Sequence, residues 1–273
     1  MQPAAYEQLA SVYEWLLDDA IITPEGQLTA FAPVLDGLPP GGRVLDCAAG
    51  TGLLAVGLAL RGFAVTASDL SDPMLERARA LAAERGVALD ARVCAWEDLP
   101  AERFEAPFDA VFCVGNSLAH AAGETARRTA LRAMAGLLAP GGMLTVTSRN
   151  WELLRASGTH VRVNDRVIVR VARRGLVFQA WTVPEAWSAP HQQDVRVALL
   201  GADGEVTVHG ERLTLWPFRH EALDADLAAA GLEREQTTYA DAAGRYLVTA
   251  RRAADEPAGS AMMRPGHDRG GLP

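Results

Sequence analysis

The sequence predicts a doubly wound α/β fold built on a mostly parallel sheet, and three observations carry that prediction. From residue 43 onward, short apolar runs of strand length alternate with helical runs, the pattern of a parallel sheet covered on both faces. The first strand run leads directly into a glycine-rich turn that opens a helix. After Asn150 the alternation gives way to period-two runs, an antiparallel insertion, and then resumes near the C-terminus.

Taken in chain order, Tyr6, Leu9, Ala10, Tyr13, Leu16 and Leu17 lie at helical spacing and predict a helix over 4–17, with a second over 24–38 ahead of Pro39-Pro40-Gly41-Gly42. Strands are predicted at 44–47, 64–68, 88–94 and 110–114, and helices at 52–60, 73–85 and 124–138. Pro140-Gly141-Gly142 reads as a turn before a fifth strand at 143–147. The period-two runs cover 160–163, 167–172, 176–181, 194–200 and 205–213, separated by Asn164-Asp165, Arg174-Gly175 and Asp203-Gly204. A helix at 219–230 and strands at 233–238 and 246–250 close the pattern. The resulting organisation is a helical cap over 1–40, an α/β domain over 41–150 and 218–252, a β insertion over 151–217 that covers substrate or meets another copy, and a tail over 253–273. That tail is rich in Gly, Pro and Arg without periodicity and is expected to be disordered.

Composition narrows the chemistry. All 26 basic residues among the 273 are arginine, so mechanisms that need a lysine amine are excluded. A net charge of −8 with no basic cluster opposes a nucleic-acid or anionic-membrane partner. Cys47, Cys94 and Cys113 sit in apolar stretches without metal-ligand spacing, and are expected as buried thiols in a reducing, cytoplasmic compartment with no disulfide and no metal. No apolar stretch reaches membrane-spanning length.

The decisive segment is Val44-Leu45-Asp46-Cys47-Ala48-Ala49-Gly50-Thr51-Gly52. Gly50, Gly52 and Ala55, followed by Asp69, also satisfy a dinucleotide fingerprint, so a nucleotide-dependent oxidoreductase is a competing reading. Asp46 separates the two. A carboxylate at the strand tip repels a pyrophosphate but attracts the ammonium and sulfonium of S-adenosylmethionine. Asp46 has the alternative role of capping the turn. Asp69, at the end of the second strand, can accept both ribose hydroxyls or can cap the next helix, a task Ser71 or Asp72 could take instead. Leu70, next to Asp69, is a further candidate for the donor site, and Met74 is placed to pack on adenine, although it serves equally as core. Trp96, Glu97 and Asp98 follow the third strand, where an aromatic face and a carboxylate can hold the adenine ring and its amino group; exposed loop acids are otherwise merely solvated.

These elements, with Pro140-Gly141-Gly142, resemble the class I S-adenosylmethionine-dependent methyltransferases over roughly residues 40–250. Phe108-Asp109-Ala110-Val111-Phe112-Cys113-Val114-Gly115-Asn116-Ser117-Leu118-Ala119-His120 is similar to the fourth-strand pattern FDAVxCxGNSxAH of glycine and sarcosine N-methyltransferases, and Ser148-Arg149-Asn150-Trp151 resembles their HRNY. The resemblance implies a Rossmann-like sheet with an antiparallel last strand, N-terminal helices and a β insertion after the fifth strand. It also implies S-adenosylmethionine as cofactor, S-adenosylhomocysteine as product, no metal, and a small-molecule acceptor; a homo-oligomer is compatible with it. Arg149 would bind an acceptor carboxylate and Asn116 would lie in the amine pocket, while Tyr6, Ala48, Val114, Ser117 and His120 would line the donor site. Tyr6 or Tyr13 would close over the donor, Tyr13 reaching the acceptor. Arg149 has a surface ion pair as its alternative, His120 a packing role, and the two tyrosines simple packing.

The chain departs from that family where Ala95 stands in place of an asparagine and where Trp181 and Trp216 stand near family tyrosines. Indoles in place of phenols suit an acceptor bulkier than glycine or one held by cation–π contact, or else are core residues of the insertion. The expected activity is methyl transfer to the amino nitrogen of a small molecule, oriented by Asn116 and the Gly115 backbone. The alternatives are O- or C-methylation of a secondary metabolite with His120 as base, and, more remotely, a nicotinamide-dependent oxidoreductase.

Overall fold

A computed structural model describes residues 5–170 and 173–254. The rest of the expected tail, 255–273, lies outside the described residues. Seven strands form the main sheet: β1 (Arg43–Asp46), β2 (Ala64–Asp69), β3 (Asp90–Val93), β4 (Phe108–Cys113), β5 (Leu138–Arg149), β11 (Leu232–Thr237) and β12 (Arg245–Arg252), in the spatial order β11-β12-β5-β4-β1-β2-β3. β3 to β2, β2 to β1, β1 to β4 and β4 to β5 are parallel, and β12 runs antiparallel to both β5 and β11. The expected mostly parallel sheet with an antiparallel last strand is therefore what forms. The chain order reverses between β1 and β4, so the crevice at their carboxyl ends is where an open sheet of this kind keeps its ligand.

The helices α3 (Leu53–Leu60), α4 (Asp72–Glu84), α5 (Gly123–Gly136) and α7 (His220–Ala229) cover the sheet. One core joins Leu45, Phe108, Val111, Leu131, Met134, Leu144 and Leu223, and a second, on the opposite face, joins Val44, Leu54, Leu58, Phe112 and Met143. β5 is longer than expected. It begins at Leu138 and carries Pro140-Gly141-Gly142 inside the strand, where Gly141 adopts φ +75 and the pairing with β4 shifts between Phe108 and Ala110. A bulge absorbs what reads in sequence as a turn.

The insertion forms a second sheet from β6 (His160–Val163), β8 (Arg173–Thr182), β9 (His191–Leu200) and β10 (Val206–Leu215), in the order β10-β9-β8-β6, with β7 (Ile168–Arg170) paired on β8. Burial alternates residue by residue along β9, so one face of this sheet is a core face. That core is Val177, Val195, Val197, Leu199 and Leu213, and what covers it is the N-terminal segment, through Leu9, Val12 and Trp15.

Here the structure departs from the expected helix over 4–17. Glu7–Leu16 is a run of 3-10 turns, kinked at Val12. Leu9, Val12 and Trp15 recur every three residues, and a 3-10 helix stacks i and i+3 on one face, whereas an α-helix would splay them. The second expected helix divides into α1 (Pro24–Ala30) and α2 (Ala32–Leu35), because Pro33 lacks the N–H that an unbroken helix would need. Polar ties anchor the first part of the cap. Glu211 on β10 accepts from the Tyr6 and Gln8 amides at 2.7 and 3.0 Å, Glu14 pairs with Arg77 on α4, and Arg170 on β7 holds the Leu17 carbonyl at 2.8 Å and Asp19 at 2.9 Å.

Candidate functional site

Two adjoining cavities open at the carboxyl ends of β1, β4 and β5, with Tyr6, Tyr13, Ala48, Gly50, Gly115 and Ser117 in the walls of both. The first, of about 570 Å³, runs from β1 toward β2 and β3, and its walls include Asp69, Leu70, Met74, Trp96, Glu97, Asp98 and His120. The second, of about 430 Å³, runs toward β5, β12 and the second sheet, past Asp46, Val114, Asn116, Arg149, Gln179, Gln193 and Arg245.

The glycine-rich turn is held by Asp69, whose two carboxylate oxygens accept from the Gly50 amide at 2.8 Å and the Ser71 amide at 2.9 Å. Ser71, not Asp69, caps α4, accepting from the Met74 amide. The two glycines do different work. Gly50 has φ +52 and nothing within 4 Å of the position a Cβ would take, so backbone is presented bare to both cavities. Gly52, expected to line the donor site, lines neither. At φ +80 it starts α3, and a Cβ there would lie 2.6 Å from Ala78 Cβ and 2.9 Å from Ala78 Cα; its role is to let α3 and α4 close against each other.

Asp46 is 1% exposed at the tip of β1, and among the described residues its side chain accepts one hydrogen bond, from the Ala48 amide at 3.5 Å. Burial pushes its carboxyl up to about 7, with Asp69 adding to the rise. Trp96 swings back over the β1 tip and donates Nε1 to the Cys47 carbonyl at 2.7 Å, which fixes the indole in the cavity wall. Ser117 Oγ donates to the Val114 carbonyl at 2.7 Å, folding the segment after β4 into the single turn that carries His120. Desolvation pushes His120 down to about 4, against a raising contact with the Thr214 backbone, and its ring meets Tyr6 edge-on at 5.6 Å. Tyr6 in turn meets Tyr13 edge-on at 5.4 Å, so cap and β4 turn meet above the shared wall.

Asn116 is buried, holds the left-handed conformation at φ +70, and accepts the Arg149 backbone amide on Oδ1 at 2.9 Å. The Gly115 amide likewise donates to Thr147 Oγ1 at 2.8 Å. The groups expected to orient an amine are thus committed in part to joining the tips of β4 and β5. A left-handed non-glycine residue is costly, and it is retained where β4 turns into the cavity. The Arg149 guanidinium lies over the Trp181 ring at 5.1 Å, and burial lowers its pKa to about 10, followed by the charge of Arg245. Among the described residues it has no carboxylate partner, so the alternative of a surface ion pair is not what forms.

Trp181 and Trp216 line neither cavity. Trp181 is 1% exposed, packed edge-on against Trp151 at 6.2 Å, and reaches the site only as the floor beneath Arg149. Trp216 follows β10 and donates its backbone amide to Ala119 at 2.7 Å, bracing the His120 turn from behind. An aromatic residue in a two-period strand has no face assigned until register is known, which is why sequence left both indoles open. Arg245, Gln179 and Gln193 were missed for the same reason: each enters the cavity through a strand pairing that no local motif marks. Among the described residues, no group of three or more His, Cys, Asp or Glu is arranged to hold a metal ion. No described helix is long and apolar enough to cross a membrane.

Comparison with known proteins bears on what this geometry is for. Residues 44–142 match the family model described as methyltransferase domain. Over those residues the chain is similar to methyltransferase domains. It is 44% identical over 112 residues to a ubiquinone biosynthesis O-methyltransferase of Xanthomonas axonopodis, covering 41% of the chain and 45% of that relative. It is 36% identical over 129 residues to glycine N-methyltransferase of Rattus norvegicus, covering 42% of the chain and 43% of that relative. The matches thus span less than half the length of either relative, and the glycine N-methyltransferase likeness does not stand apart from the O-methyltransferase one. In three dimensions the chain is similar to the methyltransferase CcbJ of Streptomyces caelestis, with a TM-score of 0.73 at 23% identity over 93% of the chain and 100% of that structure. The fold is the Rossmann-like fold of S-adenosylmethionine-dependent methyltransferases.

The residues around the larger cavity and the wall it shares with the smaller one fit S-adenosylmethionine. The bare Gly50 backbone in the shared wall leaves room for a ligand to approach, and the buried Asp46 carboxylate, which lines the adjoining smaller cavity, suits a cationic amino-acid moiety reaching past that wall. Leu70, Met74 and Trp96 offer an apolar slot for an adenine ring beside Glu97 and Asp98, whose carboxylates can accept from its amino group.

Proposed function

We propose that the chain is an S-adenosylmethionine-dependent methyltransferase that acts on the amino nitrogen of a small molecule carrying an acidic group. The observation that carries this reading is Arg149: a desolvated guanidinium, without a described carboxylate partner, in a cavity that shares its wall with the one suited to the methyl donor. A fixed guanidinium fork is a strong and directional holder of a carboxylate, and it would anchor the acceptor while leaving its amine toward the shared wall.

When bound, S-adenosylmethionine supplies a methyl group on a positively charged sulfur. Asp46, Gly50, Asp69 and Trp96 would hold it. The chain's own contribution to the reaction is alignment and exclusion of water. Tyr6 and Tyr13 close the shared wall from above, and Asn116 ties the β4 turn to Arg149 so that the acceptor anchor and donor wall keep one geometry. Holding two reactants in line accounts for several orders of magnitude in rate without any proton transfer. An amine that enters neutral needs no base, and apolar walls favour its neutral form.

O-methylation is the second reading, favoured by the likeness to an O-methyltransferase. It needs a base for a phenol or enol, and His120, pushed down to about 4, is a poor one. Incubation with S-adenosylmethionine and panels of amino acids, amines and phenols, read as S-adenosylhomocysteine release, tests the reading. Turnover with carboxylate-bearing amines that is lost in Arg149→Ala supports it; turnover confined to neutral phenols and insensitive to Arg149→Ala overturns it.

A further inference from the structure

Arg149 does not stand alone. β5 and β12 are antiparallel, and in their register Arg149 lies directly opposite Arg245. Directly opposed residues on an antiparallel ladder project from the same face, with Cβ atoms about 4.5–5.5 Å apart. Both arginines line the smaller cavity. A like-charged pair facing across a ladder is a destabilising arrangement, and proteins ordinarily relieve it with a carboxylate nearby. No ion pair does so among the described residues: the groups that act on Arg149 are Arg245, Tyr6 and Arg162, and Asp46, the carboxylate at the β1 tip that lines the same cavity, pairs with neither arginine. Elsewhere in the chain arginines are paired freely, as at Arg127 and Arg128 with Asp226, or Arg212 with Asp194.

The opposite wall is equally selective. Gln179 on β8 and Gln193 on β9 present side-chain amides to the same cavity, and Gln193 is only 3% exposed. Amides complement an anion's remaining lone pairs without adding charge. Arg245 also acts on both Tyr6 and Tyr13, so the pair lies close to the cap, with Arg245 itself at the open side of the cavity.

We infer that Arg149 and Arg245 form a two-guanidinium clamp in the acceptor cavity, and that the acceptor is an amine bearing two anionic groups, a dicarboxylic or phosphorylated amino acid in chemical class, with Gln179 and Gln193 reading its polar body. This deepens the proposed function and rests on it. It makes Arg245 a specificity-determining residue that selects doubly anionic over singly charged or neutral amines.

The test is isothermal titration of the full chain, first with S-adenosylhomocysteine alone and then, at saturating S-adenosylhomocysteine, with L-aspartate, O-phospho-L-serine, glycine and glycinamide. Wild type is expected to bind at least one of the two dianions 10-fold or more tighter than glycine and to ignore glycinamide. Arg245→Gln is expected to abolish that preference, bringing the dianion to within about 3-fold of glycine, with S-adenosylhomocysteine affinity unchanged and Arg245→Lys intermediate. Because Arg245 is exposed and its removal relieves a like-charge pair, thermal unfolding of Arg245→Gln should show a melting temperature equal to or above that of wild type. If Arg245→Gln weakens S-adenosylhomocysteine itself, the pair serves the donor's carboxylate and the clamp is refuted. If S-adenosylhomocysteine binds but glycine binds as well as the dianions, or no anionic amine binds, the clamp is refuted while the methyltransferase reading stands. If S-adenosylhomocysteine does not bind to folded wild type, the methyltransferase reading itself fails.

Discussion

Asp46 makes donor affinity a function of pH in a range where few carboxyl groups titrate. Its pKa in the folded protein is about 7, against an ordinary 3.8, because the side chain is buried with one long contact to the Ala48 amide. A folded-state value above the unfolded one means that this carboxyl favours the fold when protonated. The contribution is complete below about pH 4 and is lost as the pH rises through about 7. A cationic ligand reverses the preference, since it needs the ionised form. With a pKa of about 7, Asp46 is ionised in roughly 10% of molecules at pH 6 and roughly 90% at pH 8, so affinity for S-adenosylhomocysteine should rise by about 10-fold over that interval, or about 1.4 kcal/mol. Binding at pH 6 should release close to one proton, measurable as a dependence of the calorimetric enthalpy on the ionisation enthalpy of the buffer. Asp46→Asn should flatten both the affinity profile and the proton release. Wild-type affinity that is constant from pH 6 to pH 8, with no buffer dependence, would refute the reasoning.

Further expectations concern single side chains. Arg149→Gln should leave S-adenosylhomocysteine binding within about 2-fold while lowering kcat/KM for an acidic amine by about 10²-fold, the cost of one charge-assisted bidentate contact. His120→Asn should cost less than about 10-fold in methyl transfer and leave the pH–rate profile between 6 and 8 unaltered, because the imidazole is already neutral there; loss of a basic limb would mean that it acts as a base. Gly52→Ala should lower stability in urea unfolding by about 1–3 kcal/mol, since it places a methyl 2.9 Å from Ala78 Cα at φ +80. Trp96→Phe should weaken S-adenosylhomocysteine binding with little change in melting temperature, because the lost hydrogen bond to the Cys47 carbonyl orients a cavity wall.

Sequence and structure agree most where chemistry is local. The strand-turn-helix at Asp46–Gly52, the Ser71 cap of α4 and the Phe108–His120 segment each carry their geometry within a dozen residues, so their places could be read directly. The parallel sheet was legible for the same reason, since each strand run is continuous and the first two crossover helices start behind Gly52 and Ser71. The cap was read with the wrong helix type because Tyr6, Leu9, Ala10, Tyr13, Leu16 and Leu17 fit a 3.6-residue period, while the three-residue face of Leu9, Val12 and Trp15 shows itself only against the partner sheet. Arg245 was invisible. Its meaning lies in standing opposite Arg149, a pairing across roughly a hundred residues that a one-residue slip of register would undo. Trp181 was ambiguous in the same way: on one face of β8 it is pocket, on the other it is the support under a guanidinium.

The most direct measurement follows the methyl carbon itself. Wild-type protein incubated with S-adenosyl-L-methionine carrying a 13C methyl group and a carboxylate-bearing amine should yield S-adenosylhomocysteine and a product whose labelled carbon has the chemical shift of a methyl on nitrogen. Label found on oxygen, or no transfer from a donor that the protein demonstrably binds, would contradict it.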